Sequence, residues 1–336
     1  MRGNEWREGG VQPCVPRTSW SEGAACTPLV CREERVIIDS STTIKDIAVL
    51  SASHNRREIT LSGLDRLFKL DVPEGYRLRV YLVDDGSTDG TGDAVRREFP
   101  QVTVLSEDGS NFFFHSIYLA WNAARPAAFF LWLNDDVNLK PEALRSLIDV
   151  YEASGDPTTI VIGGTCDPIT GKTCTGGIRR PSWHASEVMT PTDAVQMCDS
   201  MNGNIVLVPR QADEKIGMMD EVYTHMFGDA DYGIRARKAG IPVLLAPGHL
   251  GTTELNRLKG TVHDLEMTFR DRWNLLFGPK GHRPPDQWWR FVRAHAPRPK
   301  ALYFFVPYVA CIAEGLLGSR FNIRRDMRRP VERVYE

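Results

Sequence analysis

Between residues 47 and 153, short apolar runs alternate with segments whose apolar residues recur at helical spacing. That alternation restricts the fold more than any other feature of the chain. Ile47 to Leu50, Leu78 to Val83, Val102 to Leu105 and Phe129 to Leu133 read as strands. Four segments read as helices: 58–70, with Leu61, Leu64, Leu67 and Phe68 on one stripe; the stretch carrying Val95 and Phe99; 110–124; and 141–153, with Pro141 at its first position and Leu144, Leu147 and Ile148 on one face. A β-α-β-α-β-α-β-α order predicts an α/β fold, a Rossmann-like and mostly parallel sheet with helices on both faces. Ligands of such a sheet bind at the carboxyl ends of its strands.

Acids stand at two of those ends. The apolar run Phe129 to Leu133 passes without a break into Asn134-Asp135-Asp136, and the strand before it ends in the loop VDDGSTDGTGD, residues 83–93. Adjacent carboxylates repel. A divalent cation that also draws in a phosphate would relieve them; capping of the following helix is the competing explanation. In the 83–93 loop, a calcium hand fails because Arg96 stands where a bidentate Glu is needed, and Gly86, Gly90 and Gly92 lack the dinucleotide spacing. What remains is an acidic loop able to accept hydrogen bonds from a base or ribose, against a plain N-cap by Asp89 or Ser87.

Beyond 153 the reading continues with a strand at Ile160 to Gly164, then a Gly/Thr/Pro-rich stretch to about Thr192 that reads as a long surface excursion. Asn202-Gly203-Asn204 then leads into the apolar run Ile205 to Val208. In Phe227-Gly228-Asp229-Ala230-Asp231, two aspartates fall where a helix should start, and Gly240 sits where it should stop. One aspartate can cap while the other faces a cleft.

The totals exclude several classes. A net charge of −2 argues against nucleic-acid binding by counterion release. The seven cysteines (14, 26, 31, 166, 174, 198 and 311) are never spaced as CxxC, which disfavours a disulfide framework or a zinc site and fits the reducing cytoplasm. No apolar leader follows the start, so a cytoplasmic location is expected. Residues 1–43 lack any sustained period and are expected to be a disordered extension.

Three motifs stand in order: VDDGSTDGT, LNDDV and FGDADYGIRARKAG. Together they resemble the family 2 glycosyltransferases, inverting enzymes of GT-A fold that use nucleotide-sugar donors, and the likeness covers about 46–275. The resemblance implies donor contacts from His54, Asn55, Asp85, Asn134 and Asp135, with Asp85 at the base edge. It implies a divalent ion, Mg2+ or Mn2+, on Asp136, and Asp229 as general base. Asn202 and Gly203 match the sugar and acceptor site, with Asp231 beside them. His225 is a candidate acceptor contact and His249 a candidate metal contact, each weighed against simple packing. Two positions depart from the family pattern: Asn134 where an Asp is often found, and Gly228 in place of a Glu. The implied partners are a UDP-, dTDP- or GDP-linked sugar and a glycan or lipid-linked acceptor, in cell-surface polysaccharide synthesis. Two alternatives stand beside this: a non-catalytic nucleotide- or glycan-binding protein of the same fold, and a sugar-nucleotide pyrophosphorylase. The second would want a Gly-rich basic loop after the first strand, and Ser51 to Arg57 has no glycine.

The catalytic domain is expected over 44–278, with a basic and aromatic helical extension over 279–336. Within it Ala301 to Ala313 is apolar, contains Pro307, and is too short to span a bilayer. Arg320, Arg324, Arg325, Arg328 and Arg329 follow. An interfacial helix on the inner leaflet and a helix packed on the catalytic domain are both open readings.

Overall fold

The computed structural model describes residues 44–183, 185–254, 268–278 and 283–317. The expectations for 1–43 and for the arginine-rich tail from 318 lie outside the described residues. In chain order the elements are β1 (Lys45–Ser53), α1 (Arg57–Leu67), β2 (Tyr76–Asp85), α2 (Thr91–Glu98), β3 (Thr103–Glu107), α3 (Phe112–Ala124), β4 (Phe129–Leu133), β5 (Asn138–Leu139), α4 (Ala143–Ser154) and β6 (Ile160–Cys166). They continue with β7 (Thr173–Thr175), β8 (Gly177–Ser182), β9 (Ala185–Val188), β10 (Gln196–Met197), β11 (Ser200–Met201), β12 (Ile205–Pro209), α5 (Arg210–Ile216), α6 (Gly228–Lys238), β13 (Val243–Thr252), α7 (Phe269–Phe277), α8 (Pro285–His295) and α9 (Lys300–Leu317).

The main sheet runs β10-β13-β6-β12-β4-β1-β2-β3, with β1 parallel to both β2 and β4, and β2 parallel to β3. β12 is antiparallel to β4 and to β6, and β13 runs parallel to β6. This is the mixed, mostly parallel Rossmann-like sheet of the GT-A fold. Every residue of β4 is buried, and the pleat sends successive side chains to opposite faces. Phe130 and Trp132 join Trp121 of α3 and Tyr232 of α6 in one aromatic core, with ring centroids 5.0 to 5.6 Å apart. Phe129, Leu131 and Leu133 pack on the other face with Leu64 and Leu67 of α1 and Leu144 and Leu147 of α4. Helices therefore cover both faces, and the loops after β1, β2 and β4 emerge at one edge.

Three segments depart from the sequence expectation. The stretch to Thr192 contains β7, β8 and β9; β8 pairs with β9 and β11 in a separate three-stranded sheet. Its glycines reflect close packing as much as turning, since a Cβ on Gly177 would lie 2.3 Å from Cys198 Sγ. β13 was hidden by Pro247, Gly248 and Gly251, which break the period-2 pattern; its register against β6 shifts on either side of His249. Helix α4 starts at Ala143 with Glu142 as its N-cap, so Pro141 lies ahead of the helix.

The third core is aromatic and built at the carboxyl-terminal side. Tyr223, Leu276, Trp288, Phe291, Val292, Tyr308 and Cys311 are buried together, and Phe227 stacks on Phe291 at 5.0 Å. Helix α9 runs through Pro307, and among the described residues no helix is long and apolar enough to cross a membrane.

Candidate active site

Three strand-end loops are laced to one another. After β1, His54 Nδ1 lies 2.5 Å from the Asp85 carbonyl oxygen, the Asn55 amide donates to Ser87 Oγ at 2.9 Å, and Asn55 Oδ1 accepts from the Thr88 amide at 2.7 Å. Asn55 takes φ 53°, a left-handed conformation that asparagine tolerates better than most residues. Asp89 accepts from the amides of Arg57 and Thr91. His54 and Asn55 thus bind the 84–91 loop to the end of β1.

Asp85 is buried and its carboxylate is fully engaged. Oδ1 accepts from the amides of Gly109 and Asn111 and from Asn111 Nδ2, and Oδ2 accepts from the Phe112 amide at 2.8 Å. Four donors fill the lone pairs of one carboxylate. As folded, Asp85 holds the loop ahead of α3, and the expected contact with a base edge would need one of these donors to be exchanged for the base.

The Asn134-Asp135-Asp136 element behaves differently. Arg56 Nη1 lies 3.0 Å from Asp135 Oδ1 and 3.2 Å from Asp136 Oδ2, so one guanidinium bridges both acids. Asn134 Oδ1, Asp135 Oδ2 and Asp136 Oδ1 are buried oxygens with no hydrogen-bond partner, and the Ser53 hydroxyl adds only a small lowering of the Asp135 carboxyl beside that of Arg56. Burial pushes the Asp135 carboxyl up, Arg56 draws it down, and the Asp136 charge adds to the rise. Three orphaned oxygens on consecutive residues are costly without a donor or a cation, and three oxygens, two of them anionic, suit a hard divalent ion. Gly63 of α1 makes room for the loop: a Cβ there would lie 2.9 Å from the Asp135 carbonyl oxygen.

Asp229 stands at the start of α6. Its Oδ2 accepts from the Gly203 amide at 3.1 Å and its Oδ1 from the Ala230 amide at 2.7 Å. Burial of the carboxylate outweighs these bonds and raises its pKa to about 6. Asn202 is tied to Gly176, its amide donating at 3.0 Å and its Oδ1 accepting at 3.3 Å. Asn202, Gly203 and Asp229 are therefore brought together; the Asn134 amide also donates to the Asn204 carbonyl, which joins this corner to the acid pair.

Asp231 is not part of that corner's open face. Its side chain is 5% exposed, Oδ2 accepts from Arg235 Nε at 2.7 Å and Oδ1 lies 2.7 Å from His295 Nε2. Burial raises its carboxyl, but the His295 bond and the Arg235 charge outweigh that and hold it below the usual range. As folded, Asp231 is a buried tie between α6 and α8. His225 is exposed, with its ring 6.3 Å from that of Phe112. His249 Nε2 lies 2.9 Å from Thr173 Oγ1, and burial together with the Lys140 charge lowers its pKa. Among the described residues no group of three or more His, Cys, Asp or Glu side chains could hold a metal ion, so Asp136 and His249 belong to no preformed cluster of that kind.

Sequence reasoning missed Arg56 and Phe114. Arg56 sits in the polar turn after β1 and no spacing ties it to residues 79 and 80 positions later. Phe114 fills the space beside Gly228, which explains why that position carries no side chain: a Cβ there would be 2.6 Å from the ring.

Residues 48–180 match the Glycosyl transferase family 2 profile. No curated protein matches the chain. Among solved structures it is similar to the mannosyltransferase PcManGT from Pyrobaculum calidifontis, solved with GDP-Man and Mn2+. That match has 17% identity, 86% of this chain and 84% of that chain covered, and a TM-score of 0.47. It is also similar to GalNAc-T7, solved with UDP, GalNAc and Mn2+, at 14% identity, with 81% of this chain and 58% of that chain covered and a TM-score of 0.51. The likeness to glycosyl transferase family 2 thus extends over residues 48–180, the part of the chain that carries the Asn134-Asp135-Asp136 element.

Proposed function

We propose that the protein is an inverting glycosyltransferase that takes a UDP-, dTDP- or GDP-linked sugar and passes it to a glycan or lipid-linked acceptor in cell-surface polysaccharide synthesis. The observation that carries the donor half is the set of three orphaned oxygens on Asn134, Asp135 and Asp136. GalNAc-T7, with the same fold, was solved with UDP and Mn2+, which agrees with a nucleotide and a divalent ion at these strand ends.

Asp136 and Asp135 would hold the divalent ion, with Asn134 Oδ1 as a neutral third oxygen. Such an ion stabilises the negative charge that gathers on a departing diphosphate. The remaining work falls to the chain itself. His54, Asn55 and Asp85 fix the loops that frame the nucleotide. Arg56 is a second positive charge at the acid pair, and its side chain is 46% exposed, which leaves it free to turn toward phosphate when an ion takes over the carboxylates.

Asp229 takes the proton of the acceptor hydroxyl at its carboxylate. A pKa of about 6 suits a general base, because the group is mostly ionised at neutral pH yet basic enough to draw the proton as the new bond forms. The Gly203 and Ala230 amides hold its two oxygens in place. A base on the acceptor side and a charged donor site across from it give in-line attack and inversion. The protein is expected to act in the cytoplasm, where nucleotide sugars would reach it.

Calorimetric titration of the purified protein with UDP, dTDP and GDP, each with and without Mn2+, tests the reading. Metal-dependent binding of one nucleotide is the expected result; no binding of any of them with Mn2+ present would remove the donor site.

A further inference from the structure

Helix α9 has two apolar faces, and among the described residues only one of them is packed against the rest of the chain. Tyr308 and Cys311 are buried in the third core, Tyr308 Oη donates to the Arg283 carbonyl at 2.8 Å, and Trp288 Nε1 donates to the Phe304 carbonyl at 3.1 Å. These contacts fix the rotation of the helix. The opposite stripe carries Leu302, Phe305, Val306, Val309 and Ile312, all between 41 and 59% exposed, at the three- and four-residue steps that align side chains along one face. Trp289 of α8, equally exposed, extends the patch past Phe304, with ring centroids 5.3 Å apart. Isolated exposed apolar residues are ordinary, but a continuous stripe of this kind marks a docking surface.

Charge selects the occupant. Residues 283–336 carry 11 Lys and Arg against 5 Asp and Glu, a net +6 in a chain whose total is −2, so the rest of the sequence carries −8. Arg293, Arg298 and Lys300 flank the start of α9, and the basic sequence continues directly from its end. A second copy meeting this face across a two-fold axis would set like charge against like. An anionic bilayer meets both needs, since it takes the apolar side chains between its lipids and attracts the arginines that precede and follow the helix in sequence.

We propose that the Leu302–Ile312 stripe of α9, with Trp289, docks the protein on the surface of an anionic lipid bilayer. The helix lies in the interface and does not cross it. This inference stands apart from the glycosyl-transfer reading, because it uses no residue of the candidate active site.

The test is co-sedimentation of the full chain with vesicles of phosphatidylcholine containing about one-third phosphatidylserine, beside vesicles of phosphatidylcholine alone. Binding to the first and about tenfold weaker binding to the second is the expected result, with loss of binding at high salt. Phe305→Ser/Val309→Ser should reduce binding about tenfold or more while leaving the melting temperature and nucleotide titration unchanged, because both side chains face solvent. Phe305→Glu/Val309→Glu should abolish binding. Three results would overturn the proposal: no binding to anionic vesicles, equal binding by the variants, or a wild-type dimer in sedimentation equilibrium that the variants convert to monomer.

Discussion

The Cβ that Gly228 lacks would lie 2.6 Å from Cγ of Phe114, inside the distance that real Cβ atoms keep from a ring. Phe114 is buried, and its amide donates to the Thr224 carbonyl at 2.7 Å, so the ring cannot simply swing away. The space where a glutamate could stand before Asp229 is filled by an aromatic side chain from another helix.

Gly228→Glu is therefore expected to destabilise the protein, by about 1–3 kcal/mol as overpacking usually does. Gly228→Ala should already show much of this loss in urea unfolding. The double variant Gly228→Glu/Phe114→Ala should be more stable than the sum of the two single changes, because the two side chains compete for one space. Strict additivity would disprove that competition.

Asp229 links pH to both rate and stability. With a pKa of about 6, its base form is lost as pH falls, so kcat/KM should drop about tenfold per unit below that value. Its folded pKa lies above the unfolded carboxylate value of about 3.9. The group therefore contributes stability that is full below the unfolded pKa and is lost as pH rises through about 6. Asp229→Asn should remove most turnover, by about 10²–10⁴-fold, and its stability relative to wild type should rise between pH 5 and pH 8. Nucleotide affinity should hold. A variant that keeps wild-type turnover would assign the base elsewhere.

Removing the guanidinium between Asp135 and Asp136 gives the clearest test of the ion site. In Arg56→Ala the buried Asp135 carboxyl loses the charge that draws it down and keeps the neighbour that pushes it up. The penalty should grow as pH rises above the unfolded carboxylate value and reach about 1–3 kcal/mol near neutrality. Mn2+ should restore the variant, and its rise in melting temperature with millimolar Mn2+ should exceed that of wild type, where arginine already occupies one side of the pair. Equal shifts in the two proteins would place the ion away from these acids.

Much of the sheet was legible because β4, the middle of β1 and β2 from Val80 onward are buried on both faces and read as apolar runs, and each ends in polar loop residues. Among the strands that sequence reasoning missed, β8 and β13 contain Gly and Pro at positions of close approach or shifted register, and β5, β7, β9, β10 and β11 are two to four residues long, too short for a period to show. At the site, the acids were legible by type and position and their bonding was not. Asp85 and Asp231 look in sequence like Asp136, yet Asp85 is held by donors 24 to 27 residues away, and Asp231 by His295, 64 residues away, together with Arg235 one turn along its own helix. Arg56, Phe114 and His295 act through such long-range contacts, which local spacing does not encode.

His295 and Asp231 supply the last test, because structural and acceptor-binding roles for Asp231 predict different outcomes. The two side chains are 2% and 5% exposed and 2.7 Å apart, and Arg235 reaches the other carboxylate oxygen while donating to the carbonyls of Ile216 and Met218. His295→Ala leaves Asp231 with one charged partner in a buried setting, and such losses cost about 3 kcal/mol. The depressed carboxyl of Asp231 contributes stability that is present above the unfolded value and lost as pH falls through its folded pKa, so the gap between wild type and variant should close in acid. If the tie is structural, His295→Ala and Asp231→Asn should both lower the urea midpoint, and below their unfolding range they should leave acceptor KM within about twofold, a change too small for a lost buried contact. Unchanged stability with a large rise in acceptor KM for Asp231→Asn would return this residue to the acceptor site.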